Sequence, residues 1–121
     1  MEIQASANVN TVIATVSVGI QPFGIDVNPA GTRAYVANNA DGTLSIIDVE
    51  VTSLTVNSVI ATPTVAGGPL GVSVDPSGQK VYVARFNDGV VAVLDASGNP
   101  VAAVAVGKGP AAFGRSIGPL P

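Results

Sequence analysis

From Val12 onward, apolar and polar positions alternate in short runs that stop at Gly, Pro, Asn or Asp. Val12–Val18 runs into Gly19 and Pro22, and Phe23–Val27 into Asn28-Pro29-Ala30-Gly31. Arg33–Ala37 ends at Asn38–Gly42, and Thr43–Asp48 closes the set. A period of two with β-branched residues, bounded by turn formers, predicts four short strands. The pattern then returns as Val59–Val65, Leu70–Val74, Lys80–Ala84 and Val90–Asp95. Pro second and Gly fourth in the Asn28 and Asp75 turns suit type I geometry, and Asp-Gly at 41–42 and 88–89 suits tight strand reversals. No segment carries a helical period of useful length.

These returns form a sequence repeat. Val12-Ile13-Ala14-Thr15 recurs as Val59-Ile60-Ala61-Thr62, Asn28-Pro29-Ala30-Gly31 as Asp75-Pro76-Ser77-Gly78, and Tyr35-Val36-Ala37 as Tyr82-Val83-Ala84. One offset of about 47 aligns 12–48 with 59–95 at about 16 of 37 positions without a gap. A third copy opens at Val101-Ala102-Ala103-Val104 and Val106-Gly107-Lys108-Gly109-Pro110, closer by a shorter Ala96–Pro100 loop where the first copy has Val49–Ser58. Length change confined to a loop is what a fixed architecture tolerates. The chain therefore reads as one domain over 1–121, with repeat 1 at about 12–58, repeat 2 at about 59–100 and a partial repeat 3 at about 101–117.

Four antiparallel strands per repeat of this length predict an all-β fold of β-propeller blades, here a partial propeller of about 2.5 repeats. Pro63, inside the Val59–Val65 run, belongs on an edge, where the outermost strand of a blade lies. The ordered motifs, Val-Ile-Ala-Thr, then Pro-x-Gly, then x-Pro-x-Gly, then Tyr35-Val36-Ala37-Asn38, resemble the YVTN repeat over about residues 11–117. The second copy departs from the naming tetrapeptide, reading Tyr82-Val83-Ala84-Arg85. The resemblance implies no single reaction, and it implies a periplasmic or extracellular setting. Two blades leave two apolar faces bare, because propellers close with about four to eight. The expectation is self-association, with a homotrimer of about six blades favoured, or completion by missing blades of a longer chain.

Composition narrows the chemistry. Apolar residues make up 47% and charged residues 11%, the formal net charge is −3, and there is no Cys or His. Thiolate and imidazole chemistry is therefore excluded, and the absence of a basic stripe argues against nucleic acid. Met1–Asn10 lacks the basic start and apolar stretch of a signal peptide, and no run is long enough for a membrane helix, so membrane insertion is not expected. Neither a metal nor another cofactor is expected.

The distinctive polar side chains fall in the loops entering the innermost strand and between the second and third strands. Gln21, Asn38, Asn39, Asp41, Arg85, Asn87, Asp88 and Lys108 form the candidate ligand face. Asn and Asp there also make turns in their own right, and Asp48 and Asp95 fit acceptors for backbone N–H groups at their own turns. Tyr35 and Tyr82 fit blade packing. The leading functional reading is a non-catalytic propeller scaffold for binding or extracellular assembly. The alternatives are a lactonase-like, metal-assisted propeller hydrolase and a ring-forming oligomeric lectin.

Overall fold

The structure, a computed structural model, describes residues 11–107. All eight regular elements among them are strands. These are β1 (Pro22–Val27), β2 (Arg33–Asn38), β3 (Thr43–Asp48), β4 (Ser58–Ala61), β5 (Pro69–Val74), β6 (Lys80–Arg85), β7 (Val90–Asp95) and β8 (Pro100–Ala105). They form two four-stranded antiparallel sheets in the orders β1-β2-β3-β4 and β5-β6-β7-β8. We call them blade 1 and blade 2. The expected all-β propeller architecture is what the chain adopts.

The central hairpins are regular because their turns are well specified. Arg33 pairs with Asp48 and Asn38 with Thr43 in blade 1, and Lys80 with Asp95 and Arg85 with Val90 in blade 2. Gly42 and Gly89, at φ 68° and 66°, supply the left-handed backbone that these reversals need. The N–H of Gly31 donates to Asn28 O and that of Gly78 to Asp75 O, the bond that closes each Pro-containing turn.

One expected strand is not formed. Val12–Val18 takes no place in either sheet, although its counterparts supply β4 and β8. The reason lies in the connectivity: β4 pairs with β3 and β8 with β7, so each outermost strand completes the blade before its own repeat. Val12–Val18 would need the third strand of a preceding blade, and no such strand is among the described residues. β4 is also shorter than the Val59–Val65 run. It ends at Ala61, Pro63 offers only its carbonyl to Leu44 N–H, and pairing resumes as a single Thr43–Thr64 bridge.

The main core lies between the blades. Alternation along β2 and β3 sends Tyr35, Ala37, Leu44 and Ile46 toward blade 2, where Val72, Val74, Val81, Val83 and Leu94 meet them. The opposite side chains, Ala34, Val36 and Ile47, form a smaller cluster on the far face of blade 1, covered by Val16, Val18, Val49 and Val59. The innermost strands touch backbone to backbone. A Cβ on Gly24 would lie 2.3 Å from Leu70 O and 2.9 Å from Gly71 Cα, so only glycine permits this approach. Polar bonds fix the register of the interface. Asp26 Oδ2 accepts from Val74 N–H at 2.8 Å, and the Tyr35 hydroxyl (2.8 Å) and Arg33 Nη1 (3.2 Å) donate to Ala96 O.

Candidate functional site

The loops that carry the candidate ligand face gather at one end of both blades. In blade 1 the strand entering β1 crosses the β2–β3 turn, and the N–H groups of Asn39 and Ala40 donate to the carbonyls of Gln21 and Ile20. The same pair of bonds recurs in blade 2, from Phe86 to Gly68 and from Asn87 to Gly67. Asn39 Nδ2 reaches Pro69 O at 3.4 Å and ties the two loop pairs together. Gln21, Asn38, Asn39, Asp41, Arg85, Asn87 and Asp88 thus share one edge, while Lys108 lies outside the described residues.

Most of the blade 1 side chains are committed to holding this edge in shape. Asn38 is fully buried, accepts from Gly19 N–H at 3.2 Å and donates to Thr43 Oγ1 and to Ser45 Oγ, the latter at 2.9 Å. Asp41 Oδ2 accepts from Ile20 N–H at 2.9 Å. A buried amide with its acceptors and donors filled is a structural device, because losing any one partner would strand a polar group away from water. Gln21 is exposed, and its left-handed backbone (φ 56°) is the position that Gly68 fills in blade 2.

Blade 2 handles the corner differently. Arg85 stands where blade 1 has Asn38, and Val90 and Ala92 stand where blade 1 has Thr43 and Ser45. With no hydroxyl beneath it, the guanidinium turns to Asp88 and forms an ion pair through Nη2. Its Nε is buried and has no hydrogen-bond partner among the described residues. A cleft of about 280 Å³ runs from Arg85 past Thr64, Val65, Ala92 and Leu94 to Pro100–Ala103, so Arg85 is its one charged wall.

The other end of the blades is built from capped turns. Asp48 accepts from Glu50 N–H at 2.9 Å and from the hydroxyls of Ser53 and Thr55, which hold its carboxyl below the usual range. Asp95 accepts from the Asn99 N–H and side-chain amide and from Ser97 N–H, with the same effect. For Asp75 burial pushes upward, but the Lys80 N–H, the Ser77 hydroxyl and the Gln79 N–H together prevail and lower it. Burial raises the Tyr35 hydroxyl despite a hydrogen bond with Arg33 that acts the other way. Asp48 and Asp95 therefore do what turn chemistry predicts. Sequence reading missed the interblade role of Asp26. Its only signal was an Asp at an inward strand position where the second repeat has Ser73. Among the described residues no three His, Cys, Asp or Glu side chains gather as a metal site would require.

Two four-stranded blades joined through their inner strands, with a polar loop edge above, define a β-propeller protein. A family model described as lactonase, 7-bladed beta-propeller matches residues 2–114, and the chain belongs to that family. No curated protein matches it. Among solved structures, Kuenenia stuttgartiensis hydrazine synthase aligns with a TM-score of 0.69 and 21% identity over 94% of this chain and 29% of its own. Apo AztD from Citrobacter koseri aligns with a TM-score of 0.64 and 23% identity over 78% of this chain and 26% of its own. The Myceliophteria thermophila Cps50 (Swd1) β-propeller domain aligns with a TM-score of 0.64 and 19% identity over 77% and 27%. At such identities the likeness concerns the fold, and the chain spans less than a third of each of these structures.

Proposed function

We propose that this chain forms two blades of a lactonase-type propeller, built from YVTN-like repeats, and that its loop face holds the oxygen-rich end of a lactone or of the hydroxy acid it opens to. The observation that carries this reading is Arg85. It replaces a satisfied buried amide with a cation on the loop face, pairs only one of its nitrogens with Asp88 and keeps further donors. A guanidinium so placed suits a carbonyl or carboxylate.

Within that propeller the chain frames the ligand and does not itself break the ester bond. Asp41 and Asp88 are each engaged by a neighbour, and a metal-assisted hydrolysis needs converging ligands. This keeps the binding-scaffold reading for these two blades within the lactonase propeller family.

The test is a titration of isotopically labelled chain with γ-butyrolactone and with 4-hydroxybutyrate, followed by amide shifts. Saturable shifts at Gly67, Arg85, Asn87 and Gly89 that vanish in Arg85→Gln are expected. No shifts at millimolar ligand would overturn the reading. Lactone hydrolysis above the buffer rate that falls in Asp41→Asn or Asp88→Asn would replace framing with catalysis.

A further inference from the structure

The cleft beside Arg85 lies between the two blades, and each of its walls comes from a blade whose four strands are all present. On the blade 1 side the outermost strand breaks at Pro63, whose ring nitrogen has no proton for a ladder bond. Thr64 and Val65 then return only through the Thr43–Thr64 bridge and the bond from Val65 N–H to Gly42 O. On the blade 2 side Ala92 pairs directly with Ala103, so two methyl groups stand on the face that meets this interruption. Small side chains opposite a broken strand leave about 280 Å³ unfilled, where a close-packed interior leaves few voids larger than a water molecule. Beyond Pro100 the blades touch again, since a Cβ on Gly98 would lie 2.6 Å from Pro63 Cγ.

The two ends of the cleft differ in chemistry. At one end Arg85 Nε is buried and has no hydrogen-bond partner among the described residues, and Nη2 is held by Asp88. Along the rest, Val65, Ala92, Leu94 and the aliphatic residues of β8 form the walls, with Thr64 the one side-chain hydroxyl. Arg85 pairs with Val90 and Leu94 with Pro100, so the cleft follows β7 for four residues, about 13 Å. An acceptor oxygen at the Arg85 end would relieve a buried donor, and an alkyl group along the walls would leave no polar atom unpaired. A sugar or an extended peptide would bring hydroxyls or amides to walls that cannot answer them.

We propose that this interblade cleft takes the alkyl tail of the ligand whose oxygen-rich end is held at Arg85, which makes that ligand a γ-alkyl lactone, or the 4-hydroxy acid it opens to, rather than the bare ring. The inference rests on the placement of the oxygen-rich end at Arg85. Ala92 then has two effects. It removes the hydroxyl that Ser45 supplies in blade 1, which frees the cation, and its small side chain leaves room for the tail. Ala103, exposed and directly across from it, sets how far the tail can reach.

The test is a titration of the isotopically labelled chain with γ-butyrolactone, γ-hexalactone and γ-octalactone and with their hydroxy acids. A fully buried methylene tightens binding about fourfold, so about twofold per methylene is expected in a cleft open on one side. The longer ligands should add shifts at Thr64, Ala92 and Ala103 to those at Arg85. Ala103→Leu should abolish the gain with chain length and leave γ-butyrolactone binding within about twofold, because the position is exposed and the fold is kept, which circular dichroism checks. Equal affinity for all lengths, with Arg85 shifting throughout, would overturn the tail site and leave the Arg85 reading standing. No shift at Arg85 with any member would overturn both. A chain-length gain that survives Ala103→Leu, or whose shifts fall at the exposed Ile25 and Val27 instead of in the cleft, would also overturn the proposal.

Discussion

At the same corner of the two sheets, blade 1 has Asn38 over Thr43 and Ser45, and blade 2 has Arg85 over Val90 and Ala92. The backbone around them is the same, with matching hairpin register and matching bonds from the β2–β3 and β6–β7 turns to the crossing segments. In blade 1 the side chain is spent inward, on a buried network that fastens Gly19. In blade 2 the floor is apolar and offers nothing to a polar group, so the cation is turned to the rim and to Asp88. The difference teaches that a propeller blade can keep its frame while releasing one position for other work. The release requires three coordinated changes, since Arg85 above two hydroxyls would compete with them and Asn38 above Val90 and Ala92 would be stranded.

The comparison can be broken most severely through its shared frame. Gly24→Val places side-chain atoms into the Leu70 carbonyl, and we expect a loss of about 3 kcal/mol or more in urea unfolding, from overpacking against backbone that cannot move aside. Next is Asn38→Leu, which leaves Gly19 N–H and the Ser45 hydroxyl unpaired in the interior and should lower stability by about 2 kcal/mol. Arg85→Leu, by contrast, should change it by less than about 1 kcal/mol, because its ion pair lies at the rim. The tyrosines sharpen the contrast further. Tyr35→Phe removes the bond to Ala96 O and should lower stability by about 1 kcal/mol, whereas Tyr82→Phe should be close to neutral.

Acid is the gentlest probe. Asp48, Asp75 and Asp95 have lowered carboxyl pKa values in the folded chain, so the unfolded chain binds protons first as pH falls. Their stabilisation is complete above the ordinary carboxylate range and is lost as pH drops through the lower folded values. Thermal midpoints should therefore be flat from neutral to about pH 5 and fall below about pH 4. Asp48→Asn should flatten that fall, because blade 1 then loses its most heavily capped carboxylate. At the alkaline end the sign reverses for Tyr35. Its raised pKa means that stability is intact below about pH 10 and declines as the buried hydroxyl ionises.

Much of the frame was legible in the sequence because it rests on local rules. Pro29 and Gly31, Asp41 and Gly42, and their repeats name the turns, and alternation between them names the faces. Asp48 and Asp95 as turn acceptors follow from the same short-range chemistry. Val12–Val18 shows where such rules stop. The segment has every strand signal that β4 has, yet pairing needs a partner edge, and strand propensity says nothing about whether one is present. The polar loop edge was legible as a place but not in its division of labour. Asn38 and Arg85 occupy one repeat position, and only the residues across the hairpin, Ser45 and Ala92, decide that one is buried and the other turned outward. Asp26 escaped notice because its partner, Val74 N–H, is a backbone group of the other blade.

The one-strand offset between repeat and sheet has a consequence for how the molecule is made. During synthesis blade 1 cannot be finished by its own repeat, because β4 belongs to the next one and follows the long 49–57 loop. Until Ser58–Ala61 emerge, the growing chain presents β3 as an open edge with Leu44, Ile46 and Ile47 beside it. The hydroxyl-rich turn around Asp48, whose Ser53 and Thr55 bonds are local, can form before that strand arrives. It would shield the end of β3 during the interval and point the returning chain back toward the edge it must close.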